Sequence, residues 1–95
     1  MIFTKTPLKG AYVIEPERHK DERGFFARTW CRGEATSHGL DPDVVQCTLS
    51  YNVRKGTLRG MHDQLSPCAE AKLVRSTCGA IFDVIVDLCP DSVTF

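Results

Sequence analysis

The stretch Lys72-Leu73-Val74-Arg75-Ser76-Thr77-Cys78-Gly79-Ala80-Ile81-Phe82-Asp83-Val84-Ile85-Val86-Asp87-Leu88 decides the fold class. Lys72 to Cys78 reads as one strand, Gly79 as a turn, and Ala80 to Leu88 as a second strand that Cys89-Pro90-Asp91 brings to an end. With a period of two, Phe82, Val84, Val86 and Leu88 share one face, and Ile81, Asp83, Ile85 and Asp87 share the other. Both faces are partly apolar. Asp83 is therefore a candidate for burial, which would be costly unless it is paired, with Lys72, Arg75 and His62 as candidate partners.

Working outward, the chain offers more short strands. Ala11 to Glu15 is one, closed by Pro16, and Pro16 to Gly24 is charged and turn-like. Phe25 to Trp30 reads as a strand, and Arg32 to His38 as a short helix with Gly39 placed as its C-terminal cap. Val44 to Asn52 is strand-like, and Arg54-Lys55-Gly56 is a turn leading into Thr57 to Gln64. Short strands at spacings of about ten residues with one small helix indicate a β-sandwich or barrel. A parallel α/β fold needs crossover helices that this sequence lacks. The class is mainly β, with one short helix.

Composition narrows the function. The 95 residues allow one domain with a modest core. Twelve basic and twelve acidic side chains cancel, whereas a dedicated nucleic-acid binder carries a basic excess. Neutrality is compatible with a small anionic ligand held by two or three placed cations. No apolar run reaches the roughly 18 residues of a membrane span, and the N-terminus has no secretory apolar core. The five cysteines, Cys31, Cys47, Cys68, Cys78 and Cys89, are odd in number and contain no C-x-x-C pair. They read as free thiols in a reducing compartment, and the expected location is the cytoplasm.

Four clusters could carry chemistry. Arg23-Gly24-Phe25-Phe26 sets a cation beside aromatic rings, suited to a phosphate next to a flat base; the ordinary reading, which taken alone is the stronger, is a strand start with core phenylalanines. Leu58-Arg59-Gly60-Met61-His62 places a guanidinium three residues from an imidazole. Strict alternation sends these two to opposite faces, so a shared site requires a bulge or twist, expected at Gly60. The ordinary alternative is a histidine satisfied within a barrel wall. Lys72 opens an apolar strand and needs an anionic partner or ligand if it points inward; at a strand edge it would simply be solvated. Gln46 is a polar group on a strand, of a kind more often solvated than functional.

Taken in order, Asp21-Glu22-Arg23-Gly24-Phe25-Phe26, Val45-Gln46, Thr57-Leu58-Arg59-Gly60-Met61-His62, Lys72-Leu73-Val74-Arg75, Gly79 and Phe82-Asp83-Val84-Ile85-Val86-Asp87 resemble the signature segments of the dTDP-4-dehydrorhamnose 3,5-epimerase family. Asp91-Ser92-Val93-Thr94-Phe95 resembles the turn that follows them in that family. The resemblance runs along essentially the whole chain.

It implies a cupin-type jelly roll without metal or other cofactor, in this chain incomplete: the N-terminal half of the barrel over residues 1–95, cut before the family's tyrosine acid and the closing strands. It implies a dTDP-sugar substrate, dTDP-4-keto-6-deoxyglucose, epimerised at C3 and C5 by proton removal next to the ketone, and a homodimer or association with another chain. His62 matches the general base and Lys72 the cation at the developing oxyanion. Arg23 and Arg59 match residues that hold the diphosphate and substrate. Gln46 and Phe26 match contacts in the nucleotide region, and Asp83 matches a supporting residue. Three positions depart from the pattern. Arg28 stands where the family has a glutamate that contacts the nucleotide, Gln46-Cys47-Thr48 replaces Gln-x-Asn, and Asp63 replaces the aromatic residue after the base. A binding or assembly fragment without turnover, and an epimerase for another deoxysugar nucleotide, remain the competing readings. A metal cupin needs a His-x-His pair, and His62-Asp63-Gln64 does not supply it.

Overall fold

The computed structural model describes residues 1–95. Its regular elements are strands β1 (Ile2–Lys5), β2 (Tyr12–Glu15), β3 (His19–Asp21) and β4 (Gly24–Phe26), followed by one helix, α1 (Arg32–Ser37). The class is mainly β with one short helix. The chain divides into two units, Met1–Asp43 with Ile81–Phe95, and Val44–Ala80.

In the first unit, β1 and β2 pair antiparallel with Phe3 opposite Ile14 and Lys5 opposite Tyr12. Turn chemistry closes this hairpin. Thr6 N–H donates to Ala11 O at 3.2 Å, the Thr6 hydroxyl accepts from Leu8 N–H at 3.2 Å, and Gly10 takes φ +81°, a conformation open to a residue without Cβ. Phe3, Tyr12 and Ile14 are half-buried on one face while Val13 and Glu15 face water, the alternation expected of a one-sided ribbon.

Strands β3 and β4 form a tighter hairpin, with His19 opposite Phe26 and Asp21 opposite Gly24. Here the structure corrects the sequence reading twice. Pro16 to Gly24 contains the strand β3 rather than only a turn, and the strand expected over Phe25 to Trp30 ends at Phe26. The residues of β3 are all polar and exposed, so no apolar alternation marks them. Asp21 makes the turn by accepting from Arg23 N–H at 2.8 Å, an Asx-type closure.

Helix α1 follows the expectation closely. It ends in a Schellman arrangement: Leu40 N–H donates to Ala35 O at 3.0 Å, Gly39 N–H donates to Thr36 O at 3.0 Å, and Gly39 has φ +71°. Ala35 is the only hydrophobic residue that is fully buried. An aromatic stack couples the helix end to the first hairpin. The His38 ring lies 3.9 Å from the Phe3 ring at 12°, and Tyr12 meets both edge-on. His38 is oriented by its Nδ1, 2.8 Å from Glu34 O, and Tyr12 Oη donates to His38 O at 3.3 Å.

The strands expected over Val44 to Asn52, Thr57 to Gln64, Lys72 to Cys78 and Ala80 to Leu88 form no ladder. Their turns do form: Thr57 Oγ1 donates to Arg54 O at 2.7 Å beside Gly56 at φ +79°, and Cys68 N–H donates to Leu65 O at 2.8 Å. The physical reason is the lack of a facing layer. A strand is stabilised by ladder partners and by burial of one face, and here Val45 and Phe82 are each 95% exposed. Asp83 is exposed as well, and its carboxylate accepts from Val84 N–H at 3.1 Å. The expected burial of Asp83 and its pairing with Lys72, Arg75 or His62 are not found.

Candidate functional site

Of the six candidate residues, Arg23 and Phe26 belong to the first unit, and Gln46, Arg59, His62 and Lys72 to the second.

Arg23 sits at the tip of the β3–β4 hairpin. Its Nη2 donates to Asp21 Oδ2 at 2.7 Å, and the same carboxylate takes its backbone N–H. The guanidinium bond and then the backbone bond hold the Asp21 carboxyl below its ordinary range. Arg23 is 85% exposed, and a guanidinium carries five donors, so an anion can still be bound on its free side. Phe26 ends β4 with its ring open to solvent. Together with His19, Arg28, Glu17, Glu34 and Met1 it lines a cavity of about 170 Å³. The Met1 ammonium is held there by Glu17 at 2.7 Å and Glu34 at 2.9 Å.

In the second unit Arg59 and His62 flank Gly60, whose φ is +111°. That value lies outside what a side-chain-bearing residue adopts readily. A Cβ at Gly60 would lie 3.7 Å from His62 Nδ1. Gly60 is therefore a positive-φ glycine in an irregular segment; with no strand over Thr57 to Gln64, it is not the bulge within a strand that was expected there. Arg59 is fixed by two bonds: Nε donates to Asn52 Oδ1 at 2.6 Å and Nη2 to Tyr51 O at 3.0 Å. The return of the chain through the Arg54–Thr57 turn supplies those partners. Lys72 pairs with Glu70 at 3.0 Å, and this bond lowers the Glu70 carboxyl from its usual value. Gln46 and His62 are exposed.

Asn52, Tyr51 and Glu70 were not singled out by the sequence reading. A hairpin-like return at Arg54-Lys55-Gly56 was the available signal for Asn52, since it sets residues 52 and 59 across from each other. Glu70, in a loop two residues before Lys72, carried no pattern. All five cysteines are free, and no helix is long and apolar enough to cross a membrane.

The first unit thus carries a guanidinium and an exposed aromatic ring on one hairpin, and the second carries a guanidinium, an imidazole and an ammonium. Comparison with known proteins identifies the family. Residues 5–95 match the dTDP-4-dehydrorhamnose 3,5-epimerase family, and the chain belongs to it. A dTDP-4-dehydrorhamnose 3,5-epimerase of Methanothermobacter thermautotrophicus is 46% identical over 93 residues, covering 98% of this chain and 49% of that protein. The enzyme of the same name from Escherichia coli is 40% identical over 97 residues, covering all of this chain and 51% of the relative. For the Sinorhizobium fredii protein of that name the figures are 37% over 95 residues, all of this chain and 49% of the relative. The chain spans about half the length of the curated relatives it matches. No solved structure matches it.

Proposed function

We propose that this chain carries the substrate-holding and proton-abstracting portion of a dTDP-4-dehydrorhamnose 3,5-epimerase. The observation that carries the reading is the family match over residues 5–95, which contains Arg23, Phe26, Gln46, Arg59, His62 and Lys72. The substrate is dTDP-4-keto-6-deoxyglucose, the product the 4-keto-L-rhamnose nucleotide, and the setting a reducing cytoplasm. No metal or organic cofactor enters the chemistry.

In this mechanism Arg23 and Arg59 hold the diphosphate through charge-assisted bonds, Phe26 stacks on the base and Gln46 contacts the nucleotide. His62 takes the proton from the carbon next to the ketone, because imidazole exchanges protons near neutral pH. Negative charge then develops on the C4 oxygen, where the Lys72 ammonium stabilises the transition state more than the ground state. Asn52 and Tyr51 supply the fixed geometry of Arg59, and Glu70 restrains Lys72 until an oxyanion competes for it. A proton returned to the opposite face of the carbon inverts it. Domain 1–95 is the portion of the family fold that binds and deprotonates, and it works within a homodimer or together with another chain.

The test is deuterium incorporation at C3 and C5 of the 4-keto sugar nucleotide in deuterated buffer, followed by NMR, with His62→Ala as control. Exchange is expected to fall by about 10²–10⁴-fold in the variant, the usual contribution of a positioned general base. A second reading rests on the exposed apolar residues of the second unit and on the half-length match: a fragment that binds nucleotide sugar or assembles with a partner without turnover. Exchange no faster than in His62→Ala, with nucleotide binding retained, selects it.

A further inference from the structure

Helix α1 is held where its own sequence would not hold it. It has six residues, among them Gly33, Thr36 and Ser37, and its N-cap Cys31 makes no side-chain cap bond. A helix this short is marginal in water and depends on what it packs against. Two contacts tie it to the β1 end of the chain. Beyond its C-terminus the His38 ring stacks on Phe3 at 3.9 Å. In its first turn Glu34 Oε1 accepts from the Met1 ammonium at 2.9 Å, next to the buried Ala35.

The second of these contacts depends on the charge of the Met1 α-amine. That ammonium also donates to Glu17 Oε2 at 2.7 Å, in the link between β2 and β3. One cation therefore joins the start of β1, the β2–β3 link and the helix. The Met1 side chain is 2% exposed, so packing fixes the amine in place. Hydrogen bonding to Glu17, then to Glu34, raises the ammonium above its ordinary value, and the same bonds lower both carboxyls. The other oxygen of Glu34, Oε2, is buried without a hydrogen-bond partner, with Arg28 Nη1 3.5 Å away.

We propose that the free α-amine of Met1 is a latch for helix α1, and that acylation of this amine releases the helix. An acyl group turns the ammonium into a neutral amide. The positive charge and two of the three N–H donors are lost, and the added carbonyl oxygen can only accept. Glu17, 56% exposed, can turn to water. Glu34, 31% exposed, is left as a part-buried carboxylate without its partner. The cavity of about 170 Å³ beside Met1 has room for a formyl or acetyl group, so the effect arises from charge and not from a clash. The His38–Phe3 stack does not involve the amine and stays in place.

The experiment compares the 95-residue chain with a free and with an acetylated Met1 amine, by amide hydrogen exchange followed in NMR. Acetylation is expected to speed exchange at Ala35 and Leu40 by about tenfold or more, the scale of a charged partner lost from a part-buried carboxylate. Thr6 and Ala11, whose N–H groups close the first hairpin, change by less than about twofold, since a local opening leaves distant elements protected. Glu34→Gln keeps the shape of the acceptor without its charge. In that variant acetylation changes Ala35 and Leu40 by less than about threefold, because the two changes remove one shared interaction. Equal exchange in the two wild-type chains overturns the latch. So does the same acceleration at Thr6 as at Ala35, or the full wild-type effect persisting in Glu34→Gln.

Discussion

Residues 1–43 and residues 44–80 both contain β-forming side chains and turn residues, but only the first segment builds ladders. The difference lies in where a strand's partner is found. Each strand of the first segment pairs with its nearest neighbour in sequence, across a loop whose side chains close it: Thr6 in one hairpin and Asp21 in the other. Loop closure is then inexpensive in entropy. In the second segment the local turns are in place at Arg54–Thr57 and Leu65–Cys68, while the flanking stretches pair with nothing. Turns need only nearby residues. A buried sheet face needs a second layer, and Val45 and Leu58, at 95% and 91% exposure, have none.

The aromatic stack is where the first segment is most vulnerable. Phe3→Ala removes the ring that packs on His38 and is expected to cost about 2 kcal/mol. Amides of Ala35 and His38 to Leu40 then exchange faster by NMR, while those of residues 44–80 do not change. Gly39→Ala acts on the same junction with a smaller effect, about 1 kcal/mol, because φ +71° is unfavourable for a residue with a Cβ. Thermal unfolding followed at the helix band reads this loss.

Acid probes the segment Asp87 to Phe95. The Asp87 carboxylate accepts from Thr94 Oγ1 at 2.6 Å and from Cys89 N–H at 2.9 Å. Hydrogen bonding from Ser92, then Thr94, then the Cys89 backbone holds its carboxyl far below the ordinary range. A depressed folded value means that this turn is stabilised above the unfolded carboxylate range, and that the contribution disappears as pH falls toward the folded value. The Cys89 amide shift is expected to stay constant from neutral pH to below pH ~4 and to move only in stronger acid. Asp87→Asn abolishes that late transition. A midpoint at the ordinary carboxylate value contradicts the turn geometry.

The smallest effect is expected in the second unit. Val45→Lys or Leu58→Lys changes the stability of the chain alone by no more than about 0.5 kcal/mol, since neither side chain is buried. A loss of about 2 kcal/mol in urea unfolding would mean that these side chains are buried in a core.

What was legible in the sequence follows the same division. The strand at Ala11 to Glu15, the helix from Arg32 and its Gly39 cap were readable because apolar alternation and capping are local signals. Strand β3 was hidden because His19-Lys20-Asp21 has no apolar member, and its pairing depends on Gly24 and the Asp21 turn. The expected pairing of Asp83 failed because it assumed a buried sheet face, and no layer covers Ile81 to Leu88. At the site, Gly60 takes a positive φ, but the strand whose alternation was to separate Arg59 from His62 does not form, so the expected bulge has no ladder to sit in. Asn52 as the anchor of Arg59 was within reach of the turn pattern. The Lys72–Glu70 pair was not, because loop residues of unknown path carry no periodicity.

Residue-resolved amide hydrogen exchange of the 95-residue chain tests the central claim most directly, that order is confined to elements closed by local partners. Slowed exchange is expected at the paired amides of β1 with β2 and β3 with β4 and at Ala35 to Leu40, with exchange close to the unprotected rate across Val44–Asn52, Thr57–Gln64 and Lys72–Cys78. Protection in those three stretches equal to that of the hairpins, in a chain shown by sedimentation to be monomeric, would contradict it.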